Sequence, residues 1–217
     1  MKSTTTNKRS FLLLVCLVAY QVFSFAQTAK DVFNNSETKI LYLGIDFTKA
    51  RLIDDANANA MDIRERQYNG INDLVVTEAK KFDLKGAFHK SYIDHDLGPV
   101  IKRNEKINAE EIKSTNSSDF HRLKEADIND VVKGLDLGDK TGVGLLFVAE
   151  AMSKAEKSIA VWVTLIDMKS KKVLMTDRVE GKAGMSFGFR NYWGSAIKSV
   201  IENIEKKKYK EWKQKYQ

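Results

Sequence analysis

The chain is poor in the residues that most often carry chemistry. It has one cysteine, one proline and three histidines among 217 residues. The cysteine, Cys16, lies in an apolar block near the N-terminus, so the rest of the chain has no disulfide, no thiol nucleophile and no thiolate metal site. Pro99 is the lone proline, and no Ser/Gly-rich stretch divides the chain into two parts. No repeat of 20–50 residues is present. No apolar run is long enough for a membrane span of about 20 residues: the longest, Phe11 to Ala26, is 16 residues and is interrupted by Gln21 and Ser24. His-Glu-x-x-His, Gly-x-Ser-x-Gly and the Gly-Lys-Ser/Thr ending of a phosphate loop are all missing. Hydrophobic residues at 43% and charged residues at 30% exclude a disordered or collagen-like chain.

What is present begins with an export signal. Lys8 and Arg9 precede the apolar block Phe11 to Val18, and Ser24 and Ala26 are small residues before Gln27. This order is that of a secretory signal peptide over residues 1–26, cleaved after Ala26. An uncleaved anchor is the alternative. Lipidation at Cys16 is disfavoured because Val15, rather than a small residue, stands before it. The expected location is periplasmic or secreted. The 191 residues that remain suit one domain, which buries roughly 70% of its unfolded surface without help from a metal.

The net charge of +7 is a property of the two ends. Lys2, Lys8 and Arg9 supply +3, and the last twelve residues, KKKYKEWKQKYQ, supply +5. The body between them is close to neutral, without the basic face of a nucleic-acid binder.

Periodicity predicts a mixed α/β (α+β) domain. Ile40 to Phe47 reads as a strand buried on both faces. Tyr68, Ile71, Leu74, Val75, Ala79 and Phe82 recur at helical spacing, and so do Phe120 to Leu135. Ala87 to Ile93 is a candidate strand and Asn108 to Ser118 a loop. Val143 to Ala149, Ile159 to Ile166 and Val173 to Val179, joined by short polar links, read as an antiparallel three-strand meander. A Gly-rich loop over Gly181 to Gly188 leads to a long amphipathic helix from Phe189 to Ile204. The organisation expected is a signal peptide (1–26), a flexible lead-in (27–38), a single α/β domain (39–205) with helices packed on the sheet, and a basic aromatic helical tail (206–217).

The segment VTLIDMKSKKVL, Val163 to Leu174, together with the opening strand at Ile40 to Phe47, resembles a pattern of periplasmic envelope modules. These are the curli-secretion family, the lipoprotein activators of cell-wall synthases and the N-terminal domain of the Tol-system β-propeller protein. The signal ending FAQ is similar to that of exported proteins of Bacteroidetes. The resemblance implies an α/β envelope module and transfers no catalytic residue. GKAGMSFGFRNYW has no counterpart in it.

Four groups of residues invite chemistry. Gly181, Gly184 and Gly188 before a helix start, with Arg190, form a candidate anion-binding loop; a glycine-rich turn is the plainer reading. Lys206, Lys207, Lys208 and Lys210 with Trp212 and Tyr216 form a candidate surface for membrane or an acidic partner; a solvated helix end is the plainer reading. His89, Asp94 and His95 are the candidates for a metal, against a solvated polar loop. Ser186 lacks a nucleophile turn, and Asp46, Asp54 and Asp55 stand near a strand end. No catalytic residue, metal or cofactor is assigned. The expected function is an exported non-enzymatic binding or envelope-assembly module whose partner is an envelope protein or polymer, not nucleic acid. An exported hydrolase, or a peripheral membrane- or polyanion-binding protein, is the alternative.

Overall fold

The apolar run that opens the domain forms β1, Ile40–Asp46. Its side chains enter two cores: Tyr42 and Ile45 on one face and Leu43 on the other. After a turn the chain forms the short β2, Arg51–Ile53. Both strands pair, one after the other, with the same edge of β5, Val143–Ser153, in parallel. The opposite edge of β5 pairs antiparallel with β6, Ser158–Asp167, and β6 pairs antiparallel with β7, Lys172–Lys182. On the outer side, β3, Ile93–His95, pairs with the start of β1, and β4, Lys113–Ser114, pairs with β2. The computed structural model describes residues 28–216, and in it these seven strands make one mixed sheet.

Between β3 and β4 the outer edge of the sheet is completed by two asparagine side chains. Ile45 N donates to Asn72 Oδ1 at 2.7 Å, and Asn72 Nδ2 donates back to Ile45 O at 3.0 Å. Phe47 N donates to Asn104 Oδ1 at 2.8 Å, and Asn104 Nδ2 also reaches Ile45 O. Both asparagines are buried, so each amide replaces a missing strand partner for backbone groups that water cannot reach. Gly44, at φ +101°, lets the helices close on this edge, because a Cβ there would lie 2.7 Å from Val100.

Helices cover both faces. One face carries α1, Ala29–Asn34, α2, Tyr68–Thr77, α3, Leu84–Ala87, and α6, Phe189–Asn203. A short turn, Ala60–Asp62, and a π-helical turn, Ile63–Gln67, lead into α2. Another π-helical turn, Ile204–Lys208, carries α6 directly into α7, Tyr209–Lys215. The other face is covered by α4, Gly98–Asn104, and α5, Glu125–Lys133, through Val100, Ile128, Val131 and Val132.

Several expectations from periodicity are corrected. The lead-in is the helix α1, opened by a reciprocal cap between Thr28 and Asp31, with Phe33 fully buried. The helix expected through Phe82 stops at Thr77, and that expected from Phe120 starts at Glu125; Phe82 and Phe120 are buried from turns. Ala87 to Ile93 is the end of α3 and the approach to β3, not a strand. The tail is part of the fold. Phe33 meets Tyr209, Trp212 and Tyr216 at ring-centre distances of 5.6, 6.2 and 5.8 Å.

Lys90 ties α1 in place. Its ammonium is buried and donates to the carbonyl of Val32 in the last turn of that helix and, at 2.7 Å, to that of the C-cap Asn35, which also accepts from Thr38 N. Burial pulls its pKa down from 10.5 to about 8, against the opposing pull of Glu37. The unfolded chain therefore binds the extra proton between pH about 8 and 10.5, and stability from this group rises with pH across that window. Urea midpoints of the parent and of Lys90→Met, taken at pH 7.5 and pH 10, check this. The parent should gain more, or lose less, than the variant on going to pH 10; an identical response in both would show that Lys90 is not the group.

Candidate interaction surface

The Gly-rich segment is held at both ends and open in the middle. Gly181 lies inside β7 against α6, where a Cβ would sit 2.1 Å from Ala196 O and 2.7 Å from Val200 N. Gly181→Ala should therefore force strand and helix apart and cost about 1–3 kcal/mol in urea unfolding; an unchanged midpoint would refute that close approach. Beyond β7, Ala183 N donates to Lys157 O at 2.8 Å, and Gly184 N donates to Ser195 Oγ at 2.9 Å. Ser195 Oγ in turn donates to Tyr192 O. Gly188, at φ +78°, forms the N-cap of α6 and accepts from Tyr192 N through its carbonyl.

Between these anchors Met185 and Phe187 point into solvent, with relative exposures of 103% and 97%. Met61, half exposed, stands at the mouth of the helix leading to α2, next to Asp62. Below the loop is a cleft of about 300 Å³. Its lining includes Asp55, Asn57, Asn59, Asp62, Lys154 and Tyr192, with Ser186 and Gly188 from the loop. Lys154 sits 4.2 Å above the Tyr192 ring and 3.8 Å from Asp55, so its charge is shared between a π face and a carboxylate. Hydrogen bonds from Gln67 and Arg66 hold Asp62 below the ordinary carboxylate range.

The anion-loop residues occupy different places. Gly181 packs against α6, Gly184 has its N–H on Ser195, and Gly188 starts the helix. Arg190 runs its stem over Gly70 of α2, whose missing side chain leaves the room.

The tail residues divide as well. Trp212 is buried and its Nε1 donates to Asp177 Oδ2 at 2.8 Å. Tyr209 OH donates to Phe33 O at 3.2 Å. Lys208 pairs with Asp177 at 2.9 Å and with Glu211 at 3.3 Å. Lys206 and Lys207 face Glu202 and Glu211 from exposed positions, and Lys210 is exposed. Tyr216 stacks on Phe33. The aromatic half of the expected tail surface is thus turned inward.

His89 stacks on Tyr209 at 4.1 Å, while Asp94 and His95 lie on β3. Among the described residues no group of three or more His, Cys, Asp or Glu side chains converges on a metal position, and no helix is long and apolar enough to cross a membrane.

Two carboxylates are fully buried, and both are engaged. Asp46 takes Thr48 N at 2.8 Å on one oxygen and Arg103 Nε at 2.5 Å on the other. Glu150 stands where the register of β5 slips between Ala149 and Ala151. Its Oε1 accepts from Leu123 N at 2.6 Å, and its Oε2 from Arg178 Nε at 2.6 Å and Trp162 Nε1 at 3.2 Å. Arg178 also donates to Glu180 and to Phe120 O. Such carboxylates hold strands and turns together, and neither lines the cleft under the loop.

No protein-family model matches the chain, and no curated protein matches it. Among solved structures, that of the lipoprotein GNA1162 from Neisseria meningitidis is similar over 78% of this chain and 98% of its own, at 15% identity and a TM-score of 0.29. A likeness at that level does not bear on function.

The glycines of the loop are structural, and its exposed apolar side chains are Met185 and Phe187. The signal was there: two large apolar residues in a glycine-rich turn, outside any helical or alternating pattern that would bury them.

Proposed function

We propose that the protein is an exported, non-enzymatic binding module of the bacterial envelope, which docks on a partner protein through the loop that carries Met185 and Phe187. The observation that supports this reading is the exposure of both side chains on a loop fixed at each end by hydrogen bonds to its own fold. Large apolar side chains presented on a rigid support, with a polar rim, are the usual anchor of a protein interface. The buried carboxylates support the non-enzymatic part, because their oxygens are taken by structural donors. The sequence Lys8 to Ala26 supports export.

The test is a comparison of the parent with Met185→Ser/Phe187→Ser in pull-downs from solubilised envelopes. A partner captured by the parent and lost from the double variant, with an unchanged urea midpoint, is the expected result. Identical capture by both would end this reading. Export has a separate check: the N-terminal residue of protein recovered from the envelope or medium should be Gln27.

A further inference from the structure

We propose that Met185 is a modification site: a two-electron oxidant of the peroxide class converts its thioether to the sulfoxide, and the loop then loses its hold on the partner. The inference rests on the reading that this loop docks. Met185 and Phe187 are fully exposed, whereas Ser186 between them lines the cleft beneath. Both apolar side chains thus face away from the fold, where an oxidant in solution meets the sulfur directly.

The other sulfur atoms of the domain are less accessible. Met152 in β5 and Met175 in β7 are buried in the sheet, and Met168 is buried just beyond the end of β6. Met61 is half exposed. Met185 belongs to none of the hydrophobic clusters. Cys16 is the one cysteine of the chain, so no thiol among the described residues competes for the oxidant. Oxidation of side-chain sulfur follows exposure, which ranks Met185 first, Met61 second and the three buried methionines last.

In the step, a sulfur lone pair attacks one oxygen of hydrogen peroxide. The S–O bond forms and the O–O bond breaks. A proton passes from the transferred oxygen to the departing one, which leaves as water. Sulfur gives up two electrons and the peroxide takes them. A flexible apolar side chain becomes a polar, chiral one, and sulfoxide reductases reverse the change. An apolar pocket on the partner would strip water from the new oxygen without replacing its hydrogen bonds, which weakens docking. The fold is spared, because the loop is held by Gly184 N on Ser195 Oγ and by Gly188 at the start of α6, and neither anchor uses Met185.

The experiment treats the purified protein with hydrogen peroxide and maps the added oxygen by peptide mass spectrometry. Met185 should oxidise before Met61, and about tenfold or more faster than Met152, Met168 and Met175. Parent and Met185→Leu are then compared, before and after peroxide, by retention on phenyl-agarose and by capture from solubilised envelopes. Peroxide should move the parent to the earlier elution of untreated Met185→Gln and lower its capture about tenfold, with an unchanged urea midpoint. Met185→Leu should keep both retention and capture. Oxidation of Met61 ahead of Met185, oxidation of the buried methionines at the same rate, or equal loss of retention in Met185→Leu would each overturn the assignment. Capture that needs the loop but survives oxidation of Met185 would end this inference alone. Capture that is the same for the parent and Met185→Ser/Phe187→Ser would end the docking reading and the switch with it.

Discussion

Arg178→Met should lower the stability of the protein by about 3–5 kcal/mol, the cost of leaving a buried charge without its partner. Glu150 is fully buried on β5, and Arg178 on β7 supplies the cation across β6. Leu123 N and Trp162 Nε1 would remain as donors, but neither carries charge. The variant would also lose the bond to Phe120 O and the guanidinium over the Phe120 ring at 5.2 Å, which fasten the turn before α5 to the sheet. Removing both charges is a different matter. Glu150→Met/Arg178→Met exchanges the pair for apolar contacts of similar volume, and such replacements are often neutral. Urea unfolding followed by circular dichroism should place the double variant well above Arg178→Met. Equal loss in both would mean that packing at Arg178, not charge, carries the effect.

Trp212→Ala should cost about as much, roughly 3–5 kcal/mol for a large aromatic core side chain. Although it lies five residues before Gln217, Trp212 is only 3% exposed. It packs 6.2 Å from Phe33 and 6.1 Å from Phe88, and its indole N–H meets Asp177 on β7. Trp212→Phe keeps most of the ring and loses the bond to Asp177, at about 1 kcal/mol. The order parent, Phe, Ala in urea midpoint is the expected readout. If alanine were tolerated, α7 would be an appendage and its aromatics free for a membrane surface after all.

The sheet was legible where strands are long and apolar. Ile40, Val143 and Ile159 each open or nearly open a strand, because continuous burial on both faces leaves no polar interruption to confuse the pattern, whereas the strand from Val173 is only half buried and carries Asp177, Arg178 and Glu180. Helix α6 was legible for the complementary reason, a stripe at threes and fours from Trp193 to Ile201 that lies on β7. β2 and β4 were not, since three- and two-residue strands have no period to read. Nor were Asn72 and Asn104, which look like surface polar residues until the interrupted sheet edge gives them backbone groups to pair with. The tail misled because lysines and aromatics alternate in it. At helical spacing Tyr209, Trp212 and Tyr216 share one side, and α1 gives that side something to cover.

The contact between Phe33 and Tyr209 joins residues 176 positions apart, and it closes the first helix of the domain with the last. Phe33 is synthesised long before Tyr209, so α1 and α7 can close on each other only after the sheet that separates them in sequence exists. A contact of such long range is slow to form compared with the helices it joins.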